Sequence, residues 1–297
     1  MFTALSDFII EKSGSVFGAE FDEDFCISHK RATTKFERNR FKGSKYVQSN
    51  LKKTFTEIKQ DIIDGKDVMF SGTPCQNAAL RNYLGNIDIS KLLLCDIICH
   101  GVTSPMIWRD YKNRLEKKFK SKLKFYDFRP KYAGWEKTSD EVCMFENGKT
   151  VHTIGTSYNY KKMYYGHLIT RPSCHNCPFT SLRRVSDITI ADCRGIEKVI
   201  PEIKTYEGVS LVMINSDKGR SWFQNVKDTL EYYPVPIESL MQPQLIEPGK
   251  ASPHRTAFWE HYYQKGLNFA LNKHFGLIYG LKNKLKRLRT LLSAINK

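Results

Sequence analysis

The sequence predicts an α/β fold: a mixed sheet with flanking helices and a loop-rich cysteine site at its strand ends. Three observations carry this. Short apolar runs at 67–71, 91–98, 187–191 and 208–215 have the length and near-continuous hydrophobicity of strands covered on both faces. Between them lie stretches with helical apolar spacing, closed by glycine or opened by proline. Cysteines gather where the apolar runs give way to loops, at Cys75, Cys99 and the pair Cys174 and Cys177.

Taken in order, Phe2, Leu5, Phe8 and Ile9 mark a helix over 2–10 that ends by Gly14. Residues 15–21 and 26–32 read as a hairpin joined by an acidic turn. In 42–49, Gly43, Ser44 and Ser49 supply a flexible backbone and hydroxyls, and Lys42 and Lys45 supply positive charge. That mixture suits a phosphate or pyrophosphate, although it matches no established phosphate-binding pattern and an ordinary loop is the alternative. An amphipathic helix over 51–64 precedes the strand 67–71, which runs into Gly72-Thr73-Pro74-Cys75-Gln76 and a helix over 77–84. This places Cys75 at or near a helix N-terminus, where partial positive charge favours the thiolate; a buried structural cysteine is the competing reading.

The strand 91–98 ends in Cys99-His100-Gly101, and Ser104 with Pro105 opens a helix over 105–119. Cys99 thus lies at the carboxyl end of a central strand, the edge where open α/β sheets bind ligands. Strands at 125–130 and 143–154, the latter turned at Asn147-Gly148, lead to an aromatic-rich helix over 158–168. Beyond 208–215 follow a helix over 218–230 and an irregular proline-containing passage over 234–253. Cys95 and Cys143 sit inside strand patterns and read as packing.

With 297 residues, 41% of them hydrophobic and 12% aromatic, the chain has the composition of a globular protein. No apolar run approaches the roughly 20 residues of a membrane span, and the first residues read as a helix, not a signal peptide. These features predict a cytoplasmic protein whose eight cysteines are thiols or metal ligands, not disulfides. A net charge of +16 attracts polyanions in general, yet no nucleic-acid-binding signature accompanies it, so no specific nucleic acid is expected. From Lys265 onward every charged residue is basic, and Leu281, Leu285, Leu288, Leu292 and Ile295 form an apolar stripe. That tail could rest on an anionic membrane surface, dock on a partner or cap the fold.

Cys75, Cys99, Cys174 and Cys177 are the candidate metal ligands. Four thiolates can bind zinc or an iron–sulfur cluster. Only one C-x-x-C knuckle is present, the other two thiols stand 24 residues apart on separate strand ends, and Pro178 follows Cys177; this leans towards iron–sulfur without excluding zinc or no metal.

These residues lie in motifs that together resemble a known family. The motifs are GSKYVQS (43–49), FSGTPCQ (70–76), DIICHGVTSP (96–105), GW (134–135), RPSCHNCPF (171–179), SDITIADCRG (186–195) and GVSLVMIN (208–215), spread over roughly residues 1–225. The sequence resembles the beta subunits of coenzyme F420-reducing hydrogenases and F420-dependent formate dehydrogenases, with their relative 7-hydroxymethyl chlorophyll a reductase. The resemblance implies an oxidoreductase in which a 4Fe–4S cluster exchanges electrons with FAD, and the flavin with an organic acceptor or donor. It implies Cys75, Cys99, Cys174 and Cys177 as cluster ligands, and Gly43, Ser44, Lys45, Tyr46, Ser49, Ser71, Gly72 and Thr73 as flavin-binding residues. Implied partners are a ferredoxin-like or other redox protein and a small organic substrate or deazaflavin; bacterial relatives point to surface-polysaccharide biosynthesis.

The chain departs from the family pattern in three places. The family's ferredoxin-like segment has no counterpart here, nor has the Ser-Gly-Gly loop ahead of the FTALSD-like helix, so a truncated product or an incomplete flavin site is expected. Where relatives read Asp-aromatic-Trp-Gly, this sequence has Asp192-Cys193-Arg194-Gly195, and Cys193 reads as altered packing, with a spare ligand or a redox thiol as the alternative. The expected division is a beta-subunit-like N-terminal part at 1–88, a cysteine-bearing part at 89–250 and a basic amphipathic tail at 251–297. The alternative to an enzyme is a non-catalytic metal-binding scaffold derived from the family.

Overall fold

A computed structural model describes residues 1–131, 134–135, 141–152 and 160–276. The chain opens with α1 (Phe2–Glu11), then the hairpin β1 (Ser15–Phe21) and β2 (Ile27–Ala32), the short α2 (Lys35–Asn39) and α3 (Thr54–Ile63). It continues through β3 (Val68–Ser71), α4 (Pro74–Leu84), β4 (Leu92–Ile97) and α5 (Pro105–Phe119). The strands β5 (Leu123–Asp127), β6 (Val142–Phe145) and β7 (Thr150–His152) lead to α6 (Tyr160–Tyr165). Then come β8 (Ile188–Asp192), β9 (Ser210–Ile214), α7 (Asp217–Gln224) and α8 (Arg255–Phe275).

Six strands form one mixed sheet in the order β2-β1-β3-β4-β8-β9. Its four inner strands run parallel, and β2 and β9 close the two edges antiparallel. Alternation sorts side chains between the two faces. Leu93 and Cys95 of β4 pack with Leu5, Ile9 and Trp222 beneath α1 and α7, whereas Leu92 and Leu94 pack with Ile58, Leu80 and Leu84 beneath α3 and α4. The expected mixed α/β sheet with helices on both faces is therefore observed. The junction read from sequence at 88/89 falls between β3 and β4, neighbours in this sheet.

A second, three-stranded sheet, β5-β6-β7, shares an apolar core with α5, α6 and α8. The segment read as a basic tail thus begins with α8, whose Phe258, Tyr262, Leu267, Ala270 and Leu271 are buried. Gly266, at φ 77°, breaks α8 and throws the apolar positions on its two sides out of register, which hid the helix from periodicity. The stripe from Leu281 onward lies outside the described residues.

Local chemistry accounts for the ends that matter most. Thr73 caps α4 in a reciprocal box with Gln76, and Pro74 occupies the first turn, so the helix starts before 77 and takes Cys75 into that turn. Across the sheet face, Asp96 and Arg184 form a buried ion pair at 2.8 Å, with side chains 0% and 1% exposed. All five guanidinium N–H groups find acceptors: Thr189 Oγ1, the carbonyls of Phe179 and Ser181, Asp96 Oδ2 and the Ile97 carbonyl. Thr189 also donates to the other Asp96 oxygen. Burial raises the Asp96 carboxyl above the usual range, opposed by Arg184. Arg184→Ala leaves that carboxylate without its counter-charge and is expected to lower stability by about 3–5 kcal/mol. The fall in urea midpoint measures this, and Asp96→Asn in the same background should recover part of the loss.

Candidate cysteine site at the strand ends

The parallel strands β3 and β4 deliver Cys75 and Cys99 to the same edge of the sheet, since Ser71 pairs with Cys95 in register. The third segment arrives by a chain of bridges: residues 46–50 run beside β2 at Ser28, Val47 pairs with Thr103, and Thr103 pairs with Thr170. The amide of Arg171 then donates to the Val102 carbonyl at 2.8 Å, setting down a 3-10 turn, Pro172–Asn176, that carries Cys174. Gly101 makes this approach possible. At φ 102° it occupies backbone space open to glycine, and a Cβ there would stand 2.6 Å from Thr170 and 3.1 Å from the Cys174 Cβ.

The four thiols share one neighbourhood. Burial pushes the Cys99 thiol up to about 12, and the thiols of Cys174, Cys75 and Cys177 push the same way, while the Gly101 amide, 3.3 Å from its sulfur, opposes them. Burial also raises Cys174, with Cys75 and Cys177 adding to it. Cys75 is exposed, Cys99, Cys174 and Cys177 are half-buried, and Thr73 Oγ1 lies 3.1 Å from the Cys75 sulfur. Among the described residues no three His, Cys, Asp or Glu side chains stand at the spacing of ligands on one metal ion.

The remaining cysteines are elsewhere. Cys95 and Cys143 are buried, as expected for packing residues. Cys193 is 3% exposed among Ile98, Ile196, Leu211, Leu240 and Leu245, so it too fills a core.

The residues implied for flavin binding fall into two groups on this edge. Ser49, Ser71 and Thr73 are joined through His29 and Gln76: Ser49 Oγ lies 2.9 Å from His29 Nδ1, His29 Nε2 lies 3.1 Å from the Ser71 carbonyl, and Gln76 donates to Ser49. Burial lowers His29 to about 4, so this ring is neutral at physiological pH. Gly72 is packed closely, with Phe70 and Gln76 filling the space a Cβ would need. In the second group Gly43 is open, at φ 83°, and allows the turn before Ser44. Lys45 donates to the carbonyls of Arg40, Phe41 and Lys42, an arrangement that spends its ammonium on the end of α2, and burial lowers it to about 8.

Tyr46 is stacked on Tyr164 with ring centroids 4.5 Å apart, and Tyr164 donates to the Gly101 carbonyl. Tyr165 and His100 complete an aromatic wall beside the thiols. Of this wall only Tyr46 was singled out from sequence; the YY pair of α6 carried no signal beyond its aromatic composition.

The family model for the C-terminal region of the coenzyme F420 hydrogenase/dehydrogenase beta subunit matches residues 65–238. The chain belongs to this family. A chain of the F420-reducing NiFe hydrogenase complex from Methanosarcina barkeri matches at 15% identity and a TM-score of 0.53, covering 90% of this chain and 87% of that one. At that identity the likeness shows the fold. No curated protein matches significantly. The matched span contains all four motif cysteines together with β3, β4, β8 and β9, and the family is one of redox enzyme subunits. Among the described residues no helix is long and apolar enough to cross a membrane.

Exposure orders the thiols by reactivity in the metal-free protein. At pH 8 a thiol whose pKa is about 12 is thiolate in roughly one part in ten thousand. Iodoacetamide followed by peptide mass mapping should label exposed Cys26 and Cys75 first and Cys99 far more slowly, with Cys95, Cys143 and Cys193 modified only on unfolding.

Proposed function

We propose that this chain is an iron–sulfur flavoprotein oxidoreductase in which Cys75, Cys99, Cys174 and Cys177 hold a 4Fe–4S cluster. One observation carries the reading: four thiols from three distant stretches of sequence converge on one strand-end edge, close enough that a thiolate at Cys75 or Cys177 would hold back ionisation of Cys99 and Cys174. That donor set is soft and anionic when deprotonated, the chemistry that iron–sulfur clusters require. A structural zinc site usually draws its thiolates from two local knuckles, whereas one C-x-x-C joined by two thiols from separate strand ends favours a cluster. The amide of Gly101 directed at the Cys99 sulfur would stabilise it as a thiolate ligand.

FAD is the second proposed cofactor, placed along the same edge by Gly43, Ser44, Tyr46, Ser49, Ser71, Gly72 and Thr73. The fit is weaker than for the cluster, because Lys45 and the hydroxyls of Ser49 and Thr73 are already engaged within the protein. A cluster carries single electrons and a flavin pairs them, so the two together would link a one-electron protein donor to a two-electron organic substrate. The residues around the site would exclude water and fix orientation: the Tyr46–Tyr164 stack closes one side, and neutral His29 anchors Ser49 to the carbonyl of Ser71. The basic surface would favour an acidic, ferredoxin-like redox partner.

Anaerobic reconstitution followed by iron, sulfide and flavin quantification tests both halves. About four irons and four sulfides per chain are expected, and Cys174→Ala should lose most of them while circular dichroism stays unchanged. A colourless protein that takes up zinc alone would sink the cluster assignment. Cluster without flavin would leave a cluster-binding partner protein in place of an enzyme.

A further inference from the structure

At the other end of the sheet, where the chain enters β4 and β8, lies a cavity of about 360 Å³. Its wall includes Arg81 at the last turn of α4, Ser186 and Asp187 ahead of β8, Asn215 after β9, Lys218 in the first turn of α7, and Arg184. Its size falls in the range of small-molecule sites. None of Cys75, Cys99, Cys174 and Cys177 lines it.

The carboxylates near this cavity are already satisfied. Asp187 accepts from the Leu94 amide at 2.9 Å and from Ser216 Oγ at 2.7 Å, and pairs with Lys218 at 3.2 Å. Asp96, behind Arg184, is neutralised by it. Asp88 is turned onto the amide and hydroxyl of Ser90, whose hydrogen bonds lower its carboxyl pKa, with Lys218 adding to this. Arg184 has no donor left over.

What remains on the wall is donor capacity. Lys218 spends two of its three protons, on Asp187 and the Ile89 carbonyl. Asn215 spends one amide proton on Thr189. The Ser186 side chain is 3% exposed and leans towards Asp96, yet its hydroxyl completes no hydrogen bond. Arg81 reaches the rim from exposed helix surface and makes no ion pair among the described residues. Ser216 caps α7, so the positive end of that helix adds to the field.

We propose that this cavity binds the phosphate of a small phosphomonoester of about mononucleotide size. Donors converge from α4, from the loop before β8 and from the β9–α7 junction, that is, from several directions. A planar carboxylate presents two oxygens in one plane, whereas a phosphate monoester presents three around a tetrahedron and carries nearly two charges at neutral pH. The organic part would rest on Ile89, Leu94 and Val185, the apolar portion of the wall.

Calorimetric titration of the full chain with AMP, inorganic phosphate, adenosine and citrate tests this. AMP and phosphate are expected to bind, AMP the more tightly, and adenosine not at all. Arg81→Glu should weaken AMP at least tenfold, and Ser186→Ala several-fold, with circular dichroism and iron content unchanged in both. No AMP binding at millimolar concentration, AMP affinity unaltered in both variants, or citrate binding as tightly as phosphate would each overturn the proposal. The outcome is independent of the redox reading, because iron content and phosphate binding are read on the same samples.

Discussion

The buried pairing of Asp96 with Arg184 is the interaction on which the rest of this structure leans. A carboxylate in the middle of a sheet face is costly, and it is tolerable here because a fully hydrogen-bonded guanidinium lies against it. The same guanidinium grips the carbonyls of Phe179 and Ser181, just beyond Cys177, and that of Ile97, just before Cys99. One side chain therefore ties the two cysteine-bearing loops to each other and to β8. Charge burial that contributes little net stability instead contributes position: an arginine with five fixed donors tolerates few other arrangements of the loops around it.

Around that tie the site is built from main chain more than from side-chain contacts. The bridges at Asn50, Val47, Thr103 and Thr170 extend strand-like pairing from the edge strand β2 to the loop that carries Cys174. The aromatic wall of Tyr46, Tyr164 and Tyr165 then fills the space behind them. This is why polar residues that read as ligand-binding in the sequence are partly spent on structure. Lys45 holds carbonyls and Thr73 holds a helix start, which are roles the same residue types serve anywhere.

Much of the architecture was legible in the sequence because its strands are buried on both faces and its helices begin with strong signals. Ser104-Pro105 placed α5 correctly, and Asn147-Gly148 placed the β6–β7 turn. The capping chemistry of Thr73 and Gln76 was present in GTPCQ, yet the apolar pattern alone began α4 too late. Helix α8 escaped because the kink at Gly266 divides it into two short stretches with different apolar faces. The approach of the thiols could be inferred for Cys75 and Cys99 from the sheet edge they share. That of Cys174 could not, since it depends on bridges between isolated residues that leave no periodic trace. The partner of Arg184 was equally invisible: 88 positions separate it from Asp96, and neither residue type announces burial.

The separation between the cysteines along the chain has a kinetic side. Cys75 and Cys174 become neighbours only when about a hundred intervening residues, including all of the small sheet, have found their places. Closing a loop of that length is slow compared with forming the β1–β2 hairpin or any helix of the fold. The four thiols therefore meet late, on a scaffold already built. Throughout synthesis and early folding they are separate thiols open to stray oxidation or to stray metal, and the four-thiol grouping exists only once the chain is nearly native.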